Sequence, residues 1–415
     1  MLKAEIIAVG SELLTPDRTD TNSLWLTEKL NEIGIEINAK SIIGDDAERL
    51  EKSFRAGLEE SDLVISTGGL GPTEDDITRQ IAARAIGREL ILDETLVEHL
   101  KDRFRGWGYE MPEINKRQAY VIEGGEVLPN PNGSAPGIYV GLGAKSLVVL
   151  PGPPREMKPM FENFVLPRLL EKAGKVKVKR KILKITGMGE SAVDELISPI
   201  YKEYGNVQTS ILFNKSEIEL HLAARGESGE EINAVHAEMA ARIREKLGVA
   251  LYAENGEDLE EVVGQMLRER KKTLAVAESC TGGLIAERLT EIPGSSDFFI
   301  EGAVTYHNDA KMRTLNVPLE VLEKHGAVSA ETAEAMARGM RERAAADFAL
   351  SVTGIAGPGG GSEEKPVGLV FLGFADDTET RSYKMTIPGD RQLIRWRSSQ
   401  AALDLLRRKM LKKNE

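Results

Sequence analysis

The chain has 415 residues, enough for two or three domains at roughly 150 residues each. Its 41% hydrophobic and 29% charged residues exclude a disordered or collagen-like chain. A formal net charge of −12 argues against a general nucleic-acid coat, whose affinity comes from neutralising phosphates.

No stretch approaches the roughly 18 apolar residues of a membrane span, so no membrane contact is expected. Residues 1–10 read as a short strand containing Glu5 and lack the cationic start of a secretory leader. The one cysteine, Cys280, has no partner for an internal disulfide. These features together predict a cytoplasmic protein.

Taken in order, residues 4–9 form an apolar β run, 22–33 a helix by apolar spacing, and 63–66 a strand. A helix near 77–86, a strand over 146–150 and a helix over 156–170 follow the Pro151-Gly152-Pro153-Pro154 turn or precede it. Strands alternating with helices predict a parallel sheet covered on both faces. Residues 171–181, basic and containing glycine, read as a linker. Residues 180–252 then read as βαββαβ, the split pattern of small α+β domains. A third α/β segment runs to the end. The domain boundaries are therefore expected at 1–170, 171–253 and 254–415.

Two regions have the look of chemistry. Thr67-Gly68-Gly69-Leu70-Gly71-Pro72-Thr73-Glu74-Asp75-Asp76 follows an apolar strand and precedes a helix. Ligands of open α/β sheets bind at such strand ends, and glycines with helix-start amides favour anions. No Gly-Lys-Ser/Thr follows, so this is not a Walker loop. Asp75 and Asp76 would repel a bare phosphate, which makes a bridging divalent cation the natural complement. Gly44-Asp45-Asp46, Asp20-Thr21-Asn22 and the loop over 132–137 would have to meet it at one sheet edge.

Residues 10–14 (Gly-Ser-Glu-Leu-Leu), 67–76, 132–137 and 150–157 together resemble the amino-terminal domain of the CinA (competence/damage-inducible protein A) family. That domain is similar to the MoaB/MogA molybdopterin-binding fold. The resemblance implies metal-dependent hydrolysis of ADP-ribose to AMP and ribose 5-phosphate. It implies that Gly68, Gly69, Gly71 and Thr73 cradle phosphate and that Asn22 and Ser134 bind substrate. It also implies a divalent metal (Mg, Mn or Co) on Asp45, Asp75, Asp76 and Glu12, there to polarise the pyrophosphate.

The middle segment shows no chemical motif. Its Gly226-Glu227-Ser228-Gly229 has an acidic centre that would oppose a nucleic-acid backbone, so a spacer or dimer-forming role is expected.

Near the carboxyl end, residues 273–277 form a β run that leads into Glu278-Ser279-Cys280-Thr281-Gly282-Gly283 and a helix over 284–290. A serine at a strand-to-helix turn exposes its hydroxyl near helix-start amides. From chemistry alone Ser279 and Cys280 both stand as nucleophiles, and His307, His325 and Lys311 as bases. A loop starting at Ser351-Val352-Thr353-Gly354 follows another apolar strand. Arg391 and Arg395 share a helix face suited to phosphate.

Residues 277–283, 303–311, 325–329, 353–358, 361–368 and 389–391 together resemble the PncC family of nicotinamide mononucleotide (NMN) deamidases, the carboxyl half of CinA proteins. The resemblance implies hydrolysis of NMN to nicotinic acid mononucleotide and ammonia with no cofactor. Ser279 would attack, Lys311 would take its proton, Tyr306 would orient or relay, and the Thr353 hydroxyl would touch the site. Thr281, Gly282, Gly283 and Gly354 would line the substrate, and Arg391 or Arg395 would bind its phosphate. The reading is a bifunctional α/β hydrolase of pyridine-nucleotide salvage, working as a homodimer. Its rivals are a molybdopterin- or nucleotide-binding module without turnover at residues 1–170, and an interaction partner in DNA uptake or repair.

Overall fold

The computed structural model describes residues 2–172, 177–214 and 216–412. Residues 173–176 of the expected linker lie outside that set. The chain divides into two compact units. One holds the described residues up to Lys179 together with Ala224–Asn233, and the other holds Arg180–Ala223 and the described residues from Ala234 onward. The α+β segment therefore shares most of its residues with the unit of the carboxyl-terminal sheet.

In the first unit β1 (Lys3–Val9), β2 (Glu36–Ile43) and β3 (Leu63–Thr67) alternate with α1 (Thr21–Glu32), α2 (Ala47–Glu60) and α3 (Thr78–Ala85). A short antiparallel pair, β4 (Leu90–Leu92) with β5 (Tyr120–Ile122), flanks α4 (Glu94–Gly106). Strands β6 (Glu126–Leu128), β7 (Gly137–Leu142) and β8 (Lys145–Leu150) complete a six-stranded sheet in the order β2-β1-β3-β8-β7-β6. Its first four strands are parallel, while β7 and β6 are antiparallel, so the expected parallel sheet is mixed at one edge.

Period-two alternation sorts its side chains onto two cores. Ile7 and Val9 pack with Leu50 and Phe54 of α2, whereas Ala4 and Ile6 pack with Leu26 and Leu30 of α1. Instead of one helix over 156–170, α5 (Pro154–Met160) passes through a π turn at Phe161–Val165 into α6 (Leu166–Lys172). Pro159 inside α5 cannot donate to the preceding turn, and such sites relax into π bulges.

The middle segment has the expected βαββαβ element order. It comprises β9 (Lys177–Thr186), α7 (Glu190–Tyr201), β10 (Val207–Asn214), β11 (Glu217–Gly226), α8 (Gly229–Leu247) and β12 (Leu251–Ala253), with sheet order β10-β11-β9-β12.

The last segment follows α9 (Leu259–Arg270) with β13 (Leu274–Glu278), α10 (Leu284–Thr290), β14 (Phe299–Val304), α11 (Asn308–Leu315) and α12 (Leu319–His325). Helix α13 (Ala330–Ala344), β15 (Phe348–Gly354), β16 (Leu369–Ala375), β17 (Thr380–Thr386) and α14 (Arg391–Lys412) complete it. The strand order is β14-β13-β15-β16-β17, parallel across the first three. Leu274 and Val276 face α9 and α14, whereas Ala275 and Ala277 face Met336 and Met340 of α13. Both faces are thus covered, and the carboxyl ends of β13, β14 and β15 meet at one edge. Among the described residues no helix is long and apolar enough to cross a membrane.

Candidate active sites

The first site is a cleft of about 700 Å³ at the carboxyl ends of β1 and β3. Gly68 and Gly69 take φ of +109° and +65°, and a Cβ on either would lie 2.1 Å from Val9 O or Thr78 Oγ1. Only glycine fits there. The Gly68 N–H donates to Leu150 O, so Gly68 shapes the loop and does not offer a donor to a ligand. Gly71, Asn22 and Ser134 also line the cleft. Thr73 does not: its N–H and Oγ1 donate to Asp76 Oδ2 at 3.0 and 2.5 Å, so it holds Asp76 and is not a phosphate ligand.

Asn22 is held by its amide, which donates to Thr67 Oγ1 (2.9 Å) and Gly152 O (2.7 Å). Its Oδ1 is buried without a protein partner and is set to accept from a bound hydroxyl or N–H.

Glu12, Asp45, Asp75 and Asp76 all border this cleft, but they do not converge as the sequence suggested. Among the described residues no three acidic, histidine or cysteine side chains gather as a metal cage. The reason is local: Asp45 Oδ2 accepts the Ser11 N–H at 3.0 Å, and Asp76 Oδ2 is committed to Thr73. What remains is an all-oxygen, acidic border. That donor set fits a hard divalent cation held by one or two carboxylates and the phosphates of a substrate.

Sequence reasoning missed the residues that brace these loops. Arg103 donates to the carbonyls of Asn130, Pro131 and Gly133, fixing the loop that carries Ser134. Buried Arg79 donates to Leu70 O and Arg117 O, and burial pulls its pKa down to about 10. An arginine within an alanine-rich helix face was the available signal.

The second site is built where β13, β14 and β15 end. Ser279 follows β13, and its N–H donates to Val352 O of β15 at 2.9 Å. The Thr305 N–H, just past β14, donates to Glu278 O at 2.8 Å. Lys311, on the first turn of α11, is fully buried and reaches back to the serine. Its Nζ lies 3.1 Å from Ser279 Oγ, 2.7 Å from Thr305 O and 3.2 Å from Tyr306 O. Burial with no carboxylate partner pulls its pKa down to about 8.

The rival groups fall away. Burial pushes the Cys280 thiol up to about 12, so it carries almost no thiolate near neutrality. His307 is exposed and caps α11 through Asp309, and His325 pairs with Glu331.

Glu278 is the last residue of β13. It is fully buried, and its carboxylate accepts the N–H groups of Gly283 (3.0 Å), Ile285 (3.1 Å) and Ala286 (2.9 Å). An acid closing an apolar strand was the signal for it. The helix-start amides expected beside the serine hydroxyl are therefore engaged from within at Gly283, Ile285 and Ala286.

Several substrate residues have structural duties. Arg395 donates through Nε and Nη2 to Thr281 O at 3.0 and 2.7 Å, so it clamps the serine turn and is not a free phosphate ligand. Arg391 bridges Gly357 O (2.7 Å) and the Tyr306 hydroxyl (3.1 Å) at an exposed helix start. The Tyr306 phenol accordingly faces Arg391, and it is the Tyr306 carbonyl that meets Lys311. Thr353 lies within β15, where the sequence suggested a loop, and its hydroxyl donates to Ala327 O at 2.6 Å. Gly354 is the last residue of that strand, where a Cβ would lie 2.7 Å from Leu369 O. Gly282 and Gly283 take φ of +64° and +96° in the serine turn, and the buried Thr281 hydroxyl has no protein partner.

Comparison with known proteins follows this division. Residues 5–171 match the family description "Probable molybdopterin binding domain", 180–253 match "Damage-inducible protein CinA KH domain", and 256–410 match "CinA C-terminal domain". A CinA-like protein of Solibacter usitatus is 48% identical over 414 residues, covering 100% of both chains. A putative competence-damage inducible protein of Caldicellulosiruptor bescii is 45% identical over 408 residues, covering 98% of this chain and 99% of that protein. The solved competence/damage inducible protein CihA from Agrobacterium tumefaciens is 46% identical, covers 36% of this chain and 94% of its own, and superposes with a TM-score of 0.35.

Proposed function

The chain belongs to the CinA family, and on that premise we propose that its carboxyl-terminal site hydrolyses the carboxamide of NMN to nicotinic acid mononucleotide and ammonia. One observation carries the reading: the approach of a buried lysine to a turn serine, Lys311 Nζ to Ser279 Oγ at 3.1 Å.

The geometry supplies a base. A neutral amine has two N–H bonds and one lone pair. Two acceptors, Thr305 O and Tyr306 O, already meet Nζ, so the lone pair is left toward the serine hydroxyl. Lys311 takes the Ser279 proton as Oγ bonds to the amide carbon. The resulting ammonium returns that proton to the departing nitrogen, and ammonia leaves. Water then attacks the acyl-serine ester with Lys311 again as base, releasing the carboxylate and restoring the serine. The Arg391 guanidinium, at the mouth, suits the phosphate by bidentate contact.

Ammonia release from NMN by the full chain tests this, with Ser279→Ala expected to abolish it and Cys280→Ala to preserve it. Loss only in Cys280→Ala would transfer the nucleophile.

The amino-terminal cleft is proposed to bind ADP-ribose and cleave its pyrophosphate. The glycine loop faces the phosphates, and Asn22 Oδ1 accepts a ribose hydroxyl. Asp75 and Asp76 hold a divalent cation (Mg, Mn or Co) that supplies charge neutralisation to the pyrophosphate. A second reading, a pterin or nucleotide module without turnover, is favoured by the carboxylates that do not converge. AMP formation from ADP-ribose that stops with chelator and in Asp76→Ala supports the first. ADP-ribose binding without AMP supports the second.

A further inference from the structure

The second unit contains a cleft of about 1060 Å³ that shares no lining residue with the amino-terminal cleft or with Ser279, Lys311 and Arg391. The turn over 186–189 that leads into α7, Phe213 on β10, the outer strand β17 and the second half of α14 wall it. Two chemistries meet there.

One is aromatic and apolar. Phe213 is 53% exposed, a large ring left open on a cleft wall, and Tyr383 lies on the wall formed by β17. Arg381 and Lys409 each lie over the Tyr383 ring, 5.6 Å from its centre, so Tyr383 seats the cations and Phe213 is the open ring.

The other is cationic. Arg381, Arg397, Arg408, Lys409 and Lys412 line the cleft, against one carboxylate, Asp404. Asp404 is already engaged: Oδ1 accepts from Arg407, and Oδ2 accepts from Arg408 Nε at 2.6 Å. Lys409 is paired with Glu379. Arg397 spends one nitrogen on the Pro388 carbonyl. The remaining guanidinium edges of Arg397 and Arg408 have no carboxylate across from them among the described residues. Gly187 (φ +77°) sharpens this corner, since a Cβ there would lie 3.1 Å from Arg408 Nη2. The glycine lets that nitrogen approach the backbone just before α7, whose N-cap Gly189 brings no capping side chain.

We infer that this cleft binds a nucleoside phosphate, with the base against Phe213 and the phosphate on Arg397 and Arg408. The volume suits such a ligand, flat rings recognise the base by stacking, and guanidinium edges recognise phosphate oxygens in pairs. An acidic peptide would use the cations and leave the aromatic wall bare.

A Phe213→Trp reporter in the full chain tests it by fluorescence titration with ATP, with adenosine and sodium phosphate as partial probes. The response expected is saturable with ATP and at least about tenfold weaker with either partial probe. It should persist in Arg391→Ala and Asp76→Ala backgrounds, which remove the proposed phosphate ligand of one candidate active site and the proposed cation ligand of the other. It should weaken by at least about tenfold in Arg397→Ala/Arg408→Ala, where Arg407 still pairs with Asp404 and preserves the fold. Lys412→Glu, on an exposed position, gives the same direction without touching packing. An absent or non-saturating ATP response, equal binding of phosphate or adenosine, indifference to the arginine and Lys412 changes, or loss in the Arg391→Ala or Asp76→Ala background would overturn the inference.

Discussion

At the scale of single residues, Lys311 carries the most consequence. Its burial without a carboxylate holds the ammonium at about 8, against an ordinary 10.5. The neutral, proton-accepting form therefore grows as pH rises toward 8. Ammonia release should climb about tenfold per pH unit below that point and level off above it, as steady-state rates across pH will show. The same burial has a stability consequence. Between about 8 and 10.5 the folded chain holds fewer protons on Lys311 than the unfolded chain, so stability rises with pH through that window. Below it the cost of a buried charge is fully present. Lys311→Met should thus abolish ammonia release and raise the melting temperature by a few degrees at pH 7, a gain that shrinks above pH 9. A variant that melts earlier would contradict the buried-charge account. The residue types and order of this site were legible from the sequence. Residue chemistry alone left Lys311, His307 and His325 open and only the resemblance pointed to Lys311, because the choice depends on which side chain the fold of β14 into α11 returns to Ser279.

At the scale of elements, the serine turn is a strand end locked on three sides. Val352 O of β15 holds the Ser279 amide, the Thr305 N–H just past β14 holds Glu278 O, and the Glu278 side chain caps α10. Glu278 touches none of the reacting atoms, so it is a positioning residue. Glu278→Ala would leave three N–H groups without their acceptor and should cost roughly 2–4 kcal/mol in denaturant unfolding. In Glu278→Gln the carboxamide keeps one acceptor oxygen, and kcat should fall more than KM changes. Unaltered stability in the alanine variant would contradict the capping role. Several strands and helices of the outer segments were readable in the sequence, as was the whole middle βαββαβ order. The antiparallel β7 and β6 were not, since 132–137 reads as a loop and nothing local marks the strand that follows it. The π turn after Pro159 was also hidden in an otherwise continuous helical pattern. Helix α14 places Arg391 and Arg395 at the serine site and Arg397 and Arg408 at the second cleft, a link that residue spacing alone does not disclose.

At the scale of the whole molecule, the two candidate chemistries sit in separate compact units. Ser279→Ala should therefore leave AMP formation from ADP-ribose unchanged, and Asp76→Ala should leave ammonia release from NMN unchanged. Product assays on both variants with both substrates check this, and loss of both activities in either variant would contradict it. A net charge of −12 does not describe either site. Carboxylates border the first cleft, whereas the second unit gathers guanidinium groups along α14. The sequence carried the family resemblance and the glycine loops. It could not reveal that Thr73 serves Asp76, that Arg395 clamps Thr281 O, or that no three of the carboxylates bordering one cleft gather as a metal cage. Each depends on which of several backbone partners lies within reach after folding.

The most direct measurement incubates the full chain with NMN and quantifies ammonia and nicotinic acid mononucleotide in equal amounts. Wild type and Cys280→Ala should produce both, while Ser279→Ala and Lys311→Met produce neither and remain folded. Turnover by Ser279→Ala, or no turnover by the wild type, would contradict the account.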